Sequence, residues 1–391
     1  NYISKRLTGE TELSVNVTIG DYSQQDIKIA GQLPIIEDKL FVGLSVAKLE
    51  RDGFGEFLES GDENYNKDVQ LARFTMEYLV NDDIDIRLSV DDTQDDSNAR
   101  GGHRLTPSLR LPNEASPSNV FDSNADMDTT NDVSASGASV IVNWNINDDM
   151  TFKSITAYRE GDTDTNIDFD NTSIASLHVP AIYDDDQTTQ EFQLAYSGED
   201  LELVGGFYYF NGTAAGAFDV VLPLFNAFIP AGNYSSTSAG SVETNSYAVF
   251  LNSTYAIDET WSVTLGGRYT YEEKDAVVYK AALGADANLR TGFTGGTTLA
   301  VGGANTDYSN NESWSEFSPK VGVDYRVNDD TLVYASYSEG FKSGGFDIRG
   351  DASVNPGTTD GFDPEYVDSF ELGLKTELMD GRIRLNAAAF Y

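Results

Sequence analysis

The chain has 391 residues, with 25 Lys and Arg against 64 Asp and Glu, and its formal charge of −39 excludes a protein that binds nucleic-acid phosphates through basic residues. The absence of Cys and the presence of only two His exclude disulfide frameworks, thiol catalysis and Cys/His zinc sites. Aromatic residues make up 12% of the chain, which indicates a folded protein. The sequence contains no run of about 18 apolar residues, so it predicts no transmembrane helix.

Apolar and polar residues alternate in segments of about ten residues along the whole chain. The first segment, 13–19, alternates Leu, Val, Val and Ile with polar residues, which places all apolar side chains on one face of a strand. The same period of two recurs at 72–78, 84–90, 140–146 and 247–255. About ten tilted residues cross a bilayer, so about fifteen such segments predict membrane-spanning strands.

The connections between these strands are alternately short and long. The short ones are acidic hairpin turns, at 80–83, 146–149, 197–200, 257–259, 327–330 and 379–381. The long ones are rich in Gly, Ser, Asn, Thr and Asp, at about 51–68, 92–136, 160–187, 211–243, 275–312 and 341–363. Short periplasmic turns and long extracellular loops are typical of a transmembrane, antiparallel, up-and-down β-barrel. The sequence therefore predicts an all-β barrel, with aromatic residues such as those at 207–210 at the membrane interface.

No motif in the chain indicates catalysis or a bound metal ion. Acidic runs such as Asp184-Asp185-Asp186 lack the spacing of a calcium loop, and both His103 and His178 fall in predicted loops without a nucleophile motif. A carboxylate pair for glycoside hydrolysis stays open, because sequence spacing does not give the separation of two carboxylates. We expect a protein that is not an enzyme and has no resident cofactor or metal ion.

Residues 334–346 read Tyr-Ala-Ser-Tyr-Ser-Glu-Gly-Phe-Lys-Ser-Gly-Gly-Phe. This segment resembles the late-barrel signature of TonB-dependent outer-membrane receptors, and the segments 364–375 and 380–391 are similar to the next two strands of that family. The motif residues that we expect to be structural are Gly340, Phe341, Lys342, Gly344, Gly345 and Glu365.

Residues 3–10 are similar to the exit of the family's plug domain into its barrel. The resemblance therefore implies the end of a plug or linker at 1–10 and a barrel over 11–391. The plug itself would precede the chain. Plugged transporters of this kind have 22 strands, so about fifteen strands imply a barrel that is incomplete at the C-terminus.

The resemblance implies an active transporter of the bacterial outer membrane, surrounded by lipid and lipopolysaccharide. Its cargo would be a scarce, bulky nutrient, with a ferric siderophore first and haem, cobalamin or an oligosaccharide as alternatives, and the TonB complex would supply energy through the plug. In this interpretation the iron belongs to the cargo. Cationic loop residues would attract an anionic ferric chelate and aromatic ones would stack on a sugar or catecholate, and the candidates are Arg100, His103, Arg104, Arg110, Phe225, Phe228 and Tyr234.

Two other functions remain open from the sequence. A passive outer-membrane channel without a plug would be favoured by clusters of Arg and Lys on inward-facing strand positions. A soluble, acidic, β-rich adhesin or calcium-binding surface protein would have connections of random length.

Overall fold

Fifteen antiparallel strands form a single sheet in which each strand pairs with its neighbours in chain order. The computed structural model describes residues 5–108, 110–223, 235–283 and 300–391. The sheet consists of β1 (Glu12–Ile19), β2 (Gln25–Ile36), β3 (Leu40–Arg51), β6 (Lys67–Leu79), β7 (Ile84–Asp95), β8 (Asn131–Asn147), β9 (Met150–Asp168), β10 (His178–Ser197), β11 (Leu201–Val221), β12 (Ser235–Ala256), β13 (Trp261–Leu283), β14 (Ala300–Asn328), β15 (Thr331–Lys342), β16 (Glu365–Leu378) and β17 (Ile383–Phe390). Two short strands, β4 (Gly55–Glu56) and β5 (Glu63–Asn64), pair with each other, and a 3₁₀ helix spans Pro356–Asp360. In these ranges no helix has the length and apolar character to cross a membrane.

The two ends of the sheet differ in their connections, as predicted. Turns of two to four residues join the strands at one end, which we call the short-turn rim. Asp258 is typical of them, since its carboxylate accepts the N–H groups of Thr260 and Trp261, each at 2.8 Å. A hydrogen bond from the Thr260 hydroxyl, followed by these two N–H groups, holds the pKa of Asp258 below its usual value. The opposite end, the long-loop rim, carries longer connections that include 52–66, 96–130, 169–177 and 343–364.

Most strands of the fifteen-stranded sheet are longer than the sequence predicts. They have 8 to 29 residues, and β8 to β14 all exceed 16 residues. The described parts of 160–187, 211–243 and 275–312, predicted as loops, are therefore largely strand. These extensions are rich in Thr, Ser, Asp and Gly. Their backbone hydrogen bonds continue the ladder, but their side chains give no hydrophobic alternation to read.

The register separates an apolar outer face from a polar inner face. Val15 pairs with Ile29, which pairs with Val46, and these three side chains are exposed on the outer face. One position along, Arg73 pairs with Asp91 on the inner face. A soluble sheet buries its apolar face in a core, whereas this sheet presents its apolar face outward, as a barrel does towards lipid.

The first and last strands of the sheet each pair on one side only. Among the described residues, β1 is bonded to β2 and β17 is bonded to β16, so the sheet has two free edges. All side chains of β1 and β17 are exposed. Exposed strand edges of this length pair readily with further strands.

Candidate functional site

Two loops of the long-loop rim are joined through a buried side chain. Asn64, which is completely buried, donates from its Nδ2 to the backbone oxygens of Gly101 at 3.1 Å and Phe121 at 2.8 Å. The N–H of Gly101 donates to Asn64 Oδ1 at 3.0 Å. Backbone packs closely here, since a Cβ on Gly101 would lie 2.5 Å from the ring of Phe57. Loop 52–66 and loop 96–130 therefore fold as one layer.

A third loop, 169–177, is bonded to the same layer. The N–H of Gly102 donates to Asn171 Oδ1 at 2.6 Å, and the N–H of Ser173 donates to Glu114 Oε1 at 3.0 Å. We call the three loops 52–66, 96–130 and 169–177 the loop cap. Its hydrogen bonds make it a folded structure that is already in place before any ligand arrives.

A cavity of about 750 Å³ lies where the loop cap meets the ends of β3, β6, β7, β8 and β9. This volume is in the range of sites that hold small-molecule ligands. Arg51, Lys67, Val69 and Asp95 line the cavity from the inner face, because each is an even number of residues away from the inner-face pairing of Ser45, Arg73 and Asp91. The side chains of most interest around it are Arg51, Phe54, Tyr65, Lys67, Asn98, Arg100 and Asn166.

Cationic and aromatic side chains alternate around this cavity. The guanidinium carbon of Arg51 lies 3.8 Å from the ring centre of Phe54, and that of Arg100 lies 6.0 Å from the ring centre of Tyr65. Phe121 is in edge or tilted contact with both rings, at 5.8 Å from Tyr65 and 5.5 Å from Phe54. Such a lining suits a planar anion that offers oxygen atoms to the cations and a flat face to the rings.

The three cations of the cavity differ in how far the protein already satisfies them. Lys67 Nζ lies 2.9 Å from Asp26 Oδ1, and Arg51 donates to the backbone oxygen of Tyr65. Arg100 is exposed and, within the ranges that the structure covers, forms no ion pair. Arg100 is therefore the cation with most capacity left for a ligand.

The other predicted cationic residues of loop 96–130 are placed elsewhere. His103 Nδ1 lies 3.3 Å from the backbone oxygen of Asp122. Arg104 forms an ion pair with Glu114 at 3.0 Å, with 13% of its side chain exposed, and Arg110 donates to Ser176 Oγ at 2.7 Å. Arg100 is thus the one member of this group that lines the cavity.

Three aromatic candidates, Phe225, Phe228 and Tyr234, lie outside the described residues. Sequence reasoning missed Arg51 and Lys67, which stand at adjacent strand ends and come together through the register. Their only signal in the sequence is a cation at each end of a predicted loop.

The chain before β1 also lies against the inner face. Arg6 is 3.3 Å from Glu77 Oε2 and 3.0 Å from Asp85 Oδ2, and the N–H of Leu7 donates to Glu77 Oε1 at 3.1 Å. Only 5% of the Glu77 side chain is exposed. The division of the chain at residue 10 into linker and barrel stays a prediction.

Arg and Lys do occur on the inner face, but acids neutralise several of them. Arg159 Nη2 lies 3.0 Å from Asp91, and Arg87 Nε lies 3.6 Å from Glu77. Pairs of this kind reduce the free positive charge on the inner face.

The motif at the end of β15 directs loop 343–364 against the inner face of β13. Lys274 Nζ donates to the backbone oxygen of Gly344 at 2.8 Å, and the N–H of Gly345 donates to Phe362 O at 3.1 Å. A Cβ on Gly344 would lie 2.2 Å from Phe362 O, so only glycine fits.

The remaining motif residues lie at the end of β15 and at the start of β16. Gly340, Phe341 and Lys342 end β15, and Lys342 is opposite Glu365 in the register. Phe346 then packs against Val278 in a small buried cluster. Farther along the loop, a hydrogen bond from Arg349 lowers the pKa of the Asp347 carboxyl.

A second group of chemically active side chains joins the loop cap to β9 and β10. His178 Nε2 lies 2.8 Å from Asp126 Oδ1 and 3.7 Å from Asp168 Oδ2. His178, predicted as a loop residue, is the first residue of β10 and is opposite Asp168 in the register. Asp168 lies at the outer end of β9, beyond the roughly ten residues that cross a bilayer. Burial raises the pKa of Asp168, against the effect of a hydrogen bond from the Asn171 N–H.

Comparison with known proteins gives one consistent result. Residues 74–391 match the family described as TonB dependent receptor-like, beta-barrel. The chain is 25% identical over 176 residues to the metal-pseudopaline receptor of Pseudomonas aeruginosa strain UCBPP-PA14, and 26% identical over 201 residues to a ferric-pyoverdine BN7/BN8 receptor of Pseudomonas putida. These matches cover 45% and 49% of this chain but only 21% and 20% of the relatives.

Solved structures show the same fold at low identity. The ferric yersiniabactin uptake receptor of Yersinia pestis superposes with a TM-score of 0.79 at 15% identity, and the siderophore receptor of Acinetobacter baumannii superposes with a TM-score of 0.71 at 14% identity. Each alignment covers 99% of this chain, and it spans 55% and 57% of the respective receptors. The chain thus has the length of about half of such a receptor.

Proposed function

This chain belongs to the TonB-dependent receptor-like β-barrel family, and we propose that it forms most of the barrel of a receptor that imports a ferric siderophore. It is a protein of the Gram-negative outer membrane. The soluble adhesin does not agree with this fold, in which short turns and longer loops lie on opposite rims. The receptors that it matches are transport receptors, and we infer that this chain likewise performs no covalent chemistry.

The observation that carries the proposal is the cavity at the long-loop rim. It opens on the inner face, has a suitable volume, and presents Arg51, Lys67 and Arg100 beside Phe54 and Tyr65. A ferric siderophore offers anionic oxygen atoms and often flat aromatic groups, so both kinds of side chain have a role. The names of the relatives, which bind ferric pyoverdine or metal-pseudopaline complexes, support the same class of cargo.

Transport would proceed in two steps. The loop cap and the cavity would capture the chelate from outside, and the plug would then rearrange when the TonB complex pulls on it. The contacts of Arg6 and Leu7 with Glu77 place the chain leading to β1 against the inner face, which agrees with a plug inside the barrel.

The test is uptake of iron-labelled chelates by a deletion strain that carries the full-length gene. We expect uptake with the wild-type gene, loss of uptake when the proton gradient is collapsed, and weaker uptake by R100E. A charge-assisted hydrogen bond contributes about 1.5–3 kcal/mol, so the half-saturating concentration should rise roughly 10- to 100-fold. R382A, which removes an exposed cation at the short-turn rim, is the matched control and should transport normally.

Each other outcome of the uptake test would indicate a different function, cargo or capture site. Uptake that survives collapse of the gradient would indicate a passive channel. Uptake of haem, cobalamin or an oligosaccharide in place of a ferric chelate would correct the cargo. A receptor with unchanged uptake in R100E would show that this cavity is not the capture site.

A further inference from the structure

We propose that Asp126, Asp168 and His178 form a binding site for one divalent transition-metal ion that fastens the loop cap to the ends of β9 and β10. The three residues come from three segments, which are loop 96–130 and two neighbouring strands. This ion would be a resident part of the receptor and would be separate from the iron of the proposed cargo.

The three ligand atoms lie near the separations that ligands have around a metal ion. Nε2 of His178 is 2.8 Å from Asp126 Oδ1 and 3.7 Å from Asp168 Oδ2, and all three ligand atoms lie within 4.8 Å of one another. Metal–ligand bonds of about 2.1 Å place neighbouring ligands about 3.0–3.4 Å apart in octahedral or tetrahedral geometry. A small movement of the Asp126 carboxylate and of the His178 ring towards Asp168 would therefore be needed to coordinate an ion.

The surrounding hydrogen bonds hold the most buried ligand in position. Only 5% of the Asp168 side chain is exposed. Its Oδ2 accepts the N–H groups of Asp126 and Met127 at 3.1 and 3.3 Å, and its Oδ1 accepts the N–H of Asn171 at 2.7 Å. Carboxylates that bind metal ions are commonly oriented by outer hydrogen bonds of this kind.

The charge at this point is not balanced by protein cations. Asp168 and Asp126 lie together, Asp170 is two residues away, and among the described residues no Lys or Arg forms an ion pair with any of them. His178 balances the charge only when it is protonated. A buried carboxylate without a cation is costly, and a divalent ion would compensate it.

The donor set indicates the class of metal ion. One imidazole and two carboxylates suit Zn²⁺, Co²⁺ or Fe²⁺, whereas Ca²⁺ and Mg²⁺ prefer oxygen ligands alone. Binding would link Asp126 of the loop cap to the strands, and so it would hold the cap over the cavity described above.

The test is metal binding by the full-length receptor in detergent, after treatment with a chelator and without any siderophore. We expect the wild-type protein to bind one equivalent of Co²⁺ with a visible absorption band, and Zn²⁺ to displace it. H178A and D126N should each lose at least about 100-fold in affinity. H103A, which removes the other histidine of the chain, is the matched control and should bind as the wild type does.

A second measurement follows the loop cap itself. Proteolysis within loop 96–130 should slow when Zn²⁺ is added to the wild-type protein and should not respond in D126N, which keeps the size of the side chain. Equal Co²⁺ binding by the wild type and H178A would overturn the proposal, because it would show ions spread over the acidic surface. Absence of binding at micromolar Co²⁺ would overturn it as well. Since no chelate is present, failure here leaves the uptake test unaffected.

Discussion

Replacement of Asn64 by Ala removes the side chain that joins two loops of the loop cap. Three hydrogen bonds are lost, to Gly101 O, Phe121 O and the N–H of Gly101. Each contributes about 1 kcal/mol, and a buried group left without a partner costs about 1–3 kcal/mol. Asn64 is completely buried, so in the closed cap these bonds form away from bulk solvent. The free energy of opening the cap should therefore fall by about 3 kcal/mol or more.

Hydrogen exchange followed by mass spectrometry measures this opening directly. Amides of loops 52–66 and 96–130 exchange through local opening, and about 3 kcal/mol corresponds to a rate increase of roughly 100-fold. The wall strands should exchange as before, since their ladders do not involve Asn64. The melting temperature of the barrel should change little for the same reason.

The matched control is N113A, which alters an exposed Asn of the same loop that makes no hydrogen bond within the described residues. It should leave exchange unchanged. Equal protection of both loops in N64A and the wild type would refute the reasoning, because the cap would then be held by contacts other than these three bonds. Faster exchange throughout β3 and β6 would also refute the reasoning, because it would show that the loop cap and these strands open together.

Two further replacements test other parts of the inner face. G344A places a Cβ 2.2 Å from Phe362 O, so loop 343–364 should become sensitive to protease. G340A, a control with open space around the new Cβ, should leave the digestion pattern unchanged. Equal digestion of G344A and the wild type would contradict the close packing. E77A removes the acceptor of the Leu7 N–H and one of the two carboxylates paired with the half-exposed Arg6, and it should cost about 1–2 kcal/mol of local stability. Its expected result is faster cleavage before β1, and unchanged cleavage would show that residues 5–7 are held by other contacts.

The strands and their order could be predicted from the sequence because they depend on local rules. A period of two follows from the backbone geometry of a strand, and Asn, Asp and Gly mark tight turns. Segment 13–19 illustrates this, since its alternation predicted β1 almost to the residue. The lengths of β9 to β14 could not be predicted, because their outer halves alternate polar residues with other polar or small residues.

The candidate sites depended on contacts between distant residues. Arg100 was proposed from the sequence because a cation in a long loop of this family is a reasonable ligand group; it lines the cavity, and its role as a ligand group stays a prediction. Arg51 and Lys67 meet only through the pairing of β3 with β6. Asp126 and His178 are 52 residues apart in sequence and meet only once loop 96–130 is folded. No local sequence pattern predicts the contact of Arg51 with Lys67 or that of Asp126 with His178, because these contacts arise from strand register and loop packing.

The long-loop rim consists of folded loops on one side and of extended strands on the other. On one side the wall strands are short, with 12 residues in β2 and β3, or about 40 Å of strand, and the folded loops complete the rim above them. On the other side β14 alone has 29 residues, or about 95 Å of strand, and its ladder with β13 continues far above the bilayer. A continuous strand ladder opens only when the sheet itself unfolds, whereas loops open locally at a much lower free energy. Local opening at this rim should therefore be concentrated on the side where the cavity lies.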